Sequence, residues 1–436
     1  MSEPRRASLR MHPVRNLNPK GAAMTRKSLI RRGGIALSAL TLTSGAFLGL
    51  ATGANASPRS AIPHAAITAD PTNTPAAALY AALDQLLREH VDLTANVVET
   101  AITKGASSSD TKAALSVLGE NTDALGAAIG SAYGSSAKAE FLKLWRAHIG
   151  FFVNYTLGVA MHDKNMVAAA RRDLAGYVSS FAAFLAPATK LPVAALTADL
   201  KGHVSTLETA INAIVDHSKA AGPDLEMAAM HMDGTAQVLA QGIATTTSTQ
   251  GNVISSASSL RAALTGLLIQ HVADTGFVVQ TAIAHDGNLA VPEVSGAVGA
   301  LGENTDALGA AIGSVYGSAA QKSFLKLWRA HIGFFVNYTL GVAKHSKPMV
   351  AAAQRDLNGY IASFSAFLAG ATKLPTSAVA ADLRGHVSTL ETAINAIVAG
   401  KPGSSQDLMM AEDHMAGTAA VLASGIVSSQ PSKFVS

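Results

Sequence analysis

Phe141-Leu-Lys-Leu-Trp145-Arg-Ala-His148-Ile-Gly-Phe-Phe152-Val-Asn-Tyr155-Thr-Leu-Gly-Val-Ala160 is the stretch from which the fold can be read, and the same twenty residues return at Phe324–Ala343. Trp145, His148, Phe152 and Tyr155 follow i, i+3, i+7, i+10, so they form one stripe of a helix, and a stripe that bulky belongs in a core. His148 shares that stripe. Burial disfavours the imidazolium, so the ring is expected to be neutral and able to act as a ligand. No stretch alternates apolar and polar residues for long enough to argue for a strand.

Working outward, Leu118–Ala160 and Leu301–Ala343 differ at 5 of 43 aligned positions. The offset between copies is 183 over most of the repeat and 181 at its start, from His90 to His271. A period this long is a duplicated globular domain rather than a solenoid unit. Each copy reads as six helices; in the first copy they run from 75 to about 103, then 110–131, 137–161, 165–186, 192–215 and 223–243. Thr74-Pro75 supplies an N-cap and a first-turn proline, and Pro292, Pro348 and Pro375 mark helix starts in the second copy. Short connections favour antiparallel neighbours. The expected architecture is all-α, with two tandem six-helix bundles, each built from three antiparallel helical hairpins. Residues 75–243 and 258–427 form the bundles, the polar stretch 244–257 links them, 57–74 is a flexible lead and 428–436 a tail.

The chain has 436 residues, 49% of them hydrophobic and 14% charged, with no cysteine. Disulfides and thiolate chemistry are thereby excluded. The basic pI is a property of the N-terminus. Residues 1–56 hold 9 of the 33 Lys and Arg and one of the 29 acids, leaving 24 basic against 28 acidic residues beyond. A nucleic-acid partner is therefore not expected. Met24-Thr-Arg-Lys-Ser-Leu-Ile-Arg-Arg32 is a positive n-region before an apolar stretch, and Ala54-Asn55-Ala56 fits an A-x-A cleavage site. Residues 1–56 thus read as an export signal starting at Met24 and cut after Ala56, with Arg31-Arg32 compatible with twin-arginine export. The mature protein is expected outside the cell or in the cell envelope. No later apolar run reads as long enough to cross a bilayer.

A fainter repeat lies inside each copy. The odd-numbered helices share a phrase, Leu87-Arg-Glu-His90-Val, Trp145-Arg-Ala-His148-Ile and Leu200-Lys-Gly-His203-Val, with steps of 58 and 55 residues between histidines. In an up-down bundle the odd helices are parallel, which places three histidines at similar height. The even helices carry Glu120-Asn121, Asp173 and His231 near mid-length. The second copy repeats the set as His271, Glu303-Asn304, His331, Asp356, His386 and His414. These phrases, with the Met-rich segment Asp224–Ile243, resemble a bacterial family of exported helical-bundle proteins with Trp/Leu-x-x-His-apolar helices. Members carry threonine four residues after the first histidine, as Thr94 stands after His90. The resemblance implies a helical bundle and carries no activity.

Histidines on facing helices are a standard way to bind zinc, copper or haem iron. Six of the nine methionines after residue 56 lie on the sixth helices. Met227 pairs with His231 at i, i+4, and Met410 pairs with His414. Thioether and imidazole suit Cu(I), so copper is the first expectation and zinc the second. The candidate ligands are His90, His148, His203, His231, Met227 and Asp173, repeated as His271, His331, His386, His414, Met410 and Asp356. The alternative is a structural or interaction module of the cell envelope, its histidines forming a buried polar network and its two copies packing pseudo-symmetrically. No Glu-x-x-His pair, glycine-rich cofactor loop or nucleophile motif is present, so no enzyme is expected. Gly126, Gly130 and Gly134 recur every four residues and read as sites of close helix approach.

Overall fold

Asp70 caps a short 3-10 turn, Pro71–Asn73, and the Thr74 hydroxyl accepts from the Ala77 amide to open the first long helix. A computed structural model describes residues 70–434, and the expected export signal lies outside them. Twelve α-helices follow among the described residues, with no strand. The first copy contains α1 (Pro75–Lys104), α2 (Ser109–Tyr133), α3 (Ser135–Ala160), α4 (Lys164–Thr189), α5 (Val193–Val215) and α6 (Ala221–Thr247). The second contains α7 (Ser256–Ala284), α8 (Pro292–Tyr316), α9 (Ser318–Ala343), α10 (Lys347–Thr372), α11 (Thr376–Val398) and α12 (Ser404–Ser429). The protein is all-α.

Two helices, α4 and α6, depart most from the sequence reading. α4 continues through Pro187 to Thr189, because a proline in the last turn removes one hydrogen bond without blocking further turns. The Thr189 hydroxyl donates to the Leu185 carbonyl, and Lys190 ends the helix in the left-handed region at φ 59°. α6 begins two residues before Pro223 and runs on to Thr247. The link after it is tied down. The Ala76 amide donates to the Gln250 carbonyl at 2.9 Å, and Val253 is buried.

Within each copy, consecutive helices pack on one another and the sixth returns to the first: α6 lies along α1 and α12 along α7. Between copies, α1 packs on α7, α6 on α8 and α12 on α2, so exchanging the copies exchanges one contact for its counterpart. All the described residues fall in one compact unit. The first core cluster accordingly extends into the second copy through Ala262, Phe277, Val278, Ala297 and Leu301. Glycines allow the close approach at this seam; a Cβ on Gly222 would lie 2.9 Å from the Ala297 Cα. Within the first copy, a Cβ on Gly126 would meet Leu142 at 2.6 Å, as a four-residue glycine spacing predicts.

α1 and α7 are enclosed on all sides, and His90 and His271 sit at their middles. The expectation that no later run could span a bilayer is corrected here. Among the described residues, Ser256–Ala284 is long and apolar enough to cross a membrane, and 89% of its most apolar window is buried inside the protein. A helix that is apolar all round can be the core of a large helical protein, and α7 takes that place because α1, α8, α11 and α12 surround it.

Candidate metal centres

The three odd helices of each copy bring their histidines together. His90 on α1, His148 on α3 and His203 on α5 are all buried, and one nitrogen from each lies within 4.8 Å of the others. His271, His331 and His386 repeat the group. The Nε2 atoms of His90 and His148 stand 3.2 Å apart, as do those of His271 and His331. Tetrahedral sites with metal–nitrogen bonds of about 2.0–2.1 Å hold their donors roughly 3.3 Å apart, so these pairs are already near ligand spacing.

Aromatic rings wall the site. Tyr177 stacks on His148 with centroids 4.7 Å apart and planes at 14°. Trp145 lies 4.6 Å from the His148 centroid and 4.8 Å from that of His90. Phe152 closes the side facing His203 at 6.0 Å. Burial among these rings holds every imidazole neutral. Burial pushes His148 down to about 3 and His203 to about 4, with neighbouring imidazoles adding to it and, for His148, the Trp145 backbone opposing it. Burial likewise takes His90 well below its ordinary value, and His271 and His386 to about 3. Among the described residues, no carboxylate acts on His90, His148 or His203.

Three neutral imidazoles carry three N–H donors and three lone pairs, and the metal-free layer cannot match them. His90 and His148 share one hydrogen bond. His90 Nδ1 and both ring nitrogens of His203 are buried without a partner, and His386 repeats the pattern of His203. Each such atom costs about 1–3 kcal/mol. In the second copy a cavity of about 360 Å³ reaches His271 from the side, lined by Thr275, Val279, Phe335 and Leu340, with Asp286 and Lys344 also on its wall.

The remaining sequence candidates lie elsewhere. His231 sits across Gly202 on α5, where a Cβ would meet its ring at 2.5 Å, and its Nε2 bonds the Asp199 carbonyl at 3.0 Å. His414 does the same with Gly385 and Asp382. Met227 and Met410 are 55% and 53% exposed, because α6 turns Leu225, Ala228, Ala229 and Met232 inward instead. Asp173 and Asp356 are exposed beside the inward-facing Leu174 and Leu357. These six residues do not join the layers. Asn121 on α2 anchors α1 instead, donating to the Leu86 carbonyl at 2.9 Å.

Sequence reasoning missed a third group: His217, just after α5, His285 at the end of α7, and Glu293 in the first turn of α8. It spans the two copies and has no counterpart, since Gly400, Lys104 and Asp110 occupy the corresponding positions. The signal available was this departure from the repeat, which a search for repeated histidines discards.

Fold and site together define an all-α protein with buried histidine clusters that could hold metal ions. No family model, curated protein or solved structure matches the chain.

Proposed function

We propose that this is an exported, non-catalytic metal-binding protein that takes one Cu(I) in each histidine layer. The observation that carries this reading is the set of unpaired ring nitrogens on His90, His203 and His386, converging with neutral neighbours inside an aromatic shell. The methionines no longer support copper, since Met227 and Met410 face away from the layers; charge supports it instead. Desolvation scales with the square of the charge, and among the described residues no carboxylate acts on the layer histidines to neutralise a dication, so a monovalent ion that accepts few ligands fits best. Zn(II) generally wants a fourth ligand, which the layer lacks. Export rests on the Met24–Ala56 segment.

A ligand-free reading has one observation in its favour: the His90–His148 hydrogen bond already joins α1 to α3. The two readings separate cleanly. Trp145 and Trp328 are the chain's two tryptophans, and each touches one layer. Anaerobic Cu(I) titration of the full chain is expected to quench fluorescence with an end point of two ions. His148→Ala should leave one, and His148→Ala with His331→Ala none, with helical circular dichroism retained. An end point unchanged by these substitutions, or no uptake at micromolar Cu(I), refutes copper binding by the layers.

A further inference from the structure

The copies are nearly identical where they build the layers and different where they meet. At the meeting point stands the group that occurs on one side only. His217 Nδ1 and His285 Nε2 approach the same carboxylate oxygen of Glu293, at 3.0 and 2.9 Å. Glu293 is buried, and its other oxygen has no hydrogen-bond partner. Glu99 on α1 is buried beside them, and its Oε2 also has none. Burial and then the Glu293 charge push the Glu99 carboxyl up to about 7, against the pull of His217. Burial also raises Glu293, but the hydrogen bonds from His217 and His285 outweigh it and hold that carboxyl below its usual range.

His217 ends its helix in the left-handed region at φ 49°, as His162 and His345 end theirs at φ 55° and 51°, and the second copy has Gly400 at this position at φ 60°. What sets His217 apart is that its ring reaches a buried carboxylate of the other copy.

We propose that His217, His285 and Glu293 form a divalent-cation site of zinc type, with Glu99 as the neighbouring balancing carboxylate, which joins the first copy to the second. Two imidazoles and a carboxylate are a zinc donor set whose fourth position goes to water, which can reach this group beside the 44% exposed His217 side chain but not the buried layers. The donors stand within 4.8 Å of one another, and bonds of about 2.0–2.2 Å require them to separate only slightly from their present contacts. Two carboxylates offset the dication, which the all-imidazole layers cannot do. This site therefore differs from the Cu(I) layers in donors, charge and number, being one per chain.

Zn(II) binding to the full chain tests the proposal, measured by equilibrium dialysis and by the thermal midpoint, with Co(II) absorption as a second probe. One tight equivalent is expected, with a raised midpoint. His217→Gly suits the left-handed backbone there, so it should fold at least as well without metal while losing roughly tenfold or more in Zn(II) affinity. Glu293→Gln should lose as much. His148→Ala with His331→Ala should leave the Zn(II) equivalent intact, so failure here and failure of the Cu(I) reading are distinguishable. Affinity within twofold of wild type in both His217→Gly and Glu293→Gln, or no Zn(II) uptake at all, overturns the proposal.

Discussion

Each histidine's role is set by which neighbour its ring meets. His203 is buried with unpaired nitrogens, whereas His231, also mid-helix, has a satisfied bond to Asp199 and lies over Gly202. The Leu200-Lys-Gly-His203 phrase thus contains two functional positions, since the glycine makes room for the histidine of the next helix. Gly202→Ala would put a methyl 2.5 Å from His231 Cε1. It is expected to destabilise the chain by about 1–3 kcal/mol in urea unfolding. His231→Ala should recover part of that loss in a double-mutant cycle. Strict additivity of the two substitutions would show that the contact does not matter. The three layer histidines were legible in the sequence because the hairpin repeat kept them. The placement of Met227 was not, because a shift of one residue turns a helical side chain by about 100° and the alanine-rich pattern of α6 does not fix that rotation.

At the level of elements, the pairing of α1 with α7 separates charge environments that the sequence alone makes look alike. Arg88 is buried on α1 and makes two hydrogen bonds to Asp233 at 2.5 Å, with Gln270 of α7 at 3.1 Å. Its counterpart in the second copy is Ile269. Removing the arginine leaves the buried Asp84 and the half-exposed Asp233 without their cation. Arg88→Ala should therefore cost about 1–3 kcal/mol, because Arg88 is buried while its partner Asp233 keeps part of its hydration. Arg329→Ala, which breaks the pair with Asp306 where both side chains are more than half exposed, should cost less than about 1 kcal/mol. Comparable losses in denaturant unfolding would contradict the burial of Arg88. The helices themselves were readable from caps, prolines and the 3.6-residue period; α7 was not recognised as span-like, since its few polar residues interrupt a run that is apolar on every face.

Over the whole molecule, the seam between copies and the two layers titrate in opposite senses. Burial first, then Asp413, pushes Glu89 up to about 8, against hydrogen bonds from Gln85 and Asn121. Burial takes Asp92 to about 7, opposed by Arg88 and Gln270. Both titrate near 4 in an unfolded chain, so the folded protein holds protons there that the unfolded chain has released. That stability is complete below about pH 4 and is lost as pH rises through 7–8. The buried histidines, with values of about 3 to 4 for His148, His203, His271 and His386, act the other way: their contribution is present above about 6.5 and is lost as pH falls toward those values. Metal-free protein should therefore be less stable at pH 8.5 than at 6.5, and Glu89→Gln should reduce that loss by about 1–2 kcal/mol in urea midpoints. A midpoint that rises over this interval, or a slope that Glu89→Gln leaves unchanged, would show that the carboxyl is not held neutral. By itself the sequence determined the helical class, the duplication, the helix limits to within a few residues and the three repeated histidine phrases of each copy, because those follow from period, caps and repetition, all local along the chain. Only the tertiary structure decided which side chains converge, that the copies form one unit through α1 and α7, and that His217, His285 and Glu293 meet. Those depend on helix rotation and on contacts between residues far apart in sequence, and neither leaves a periodic trace.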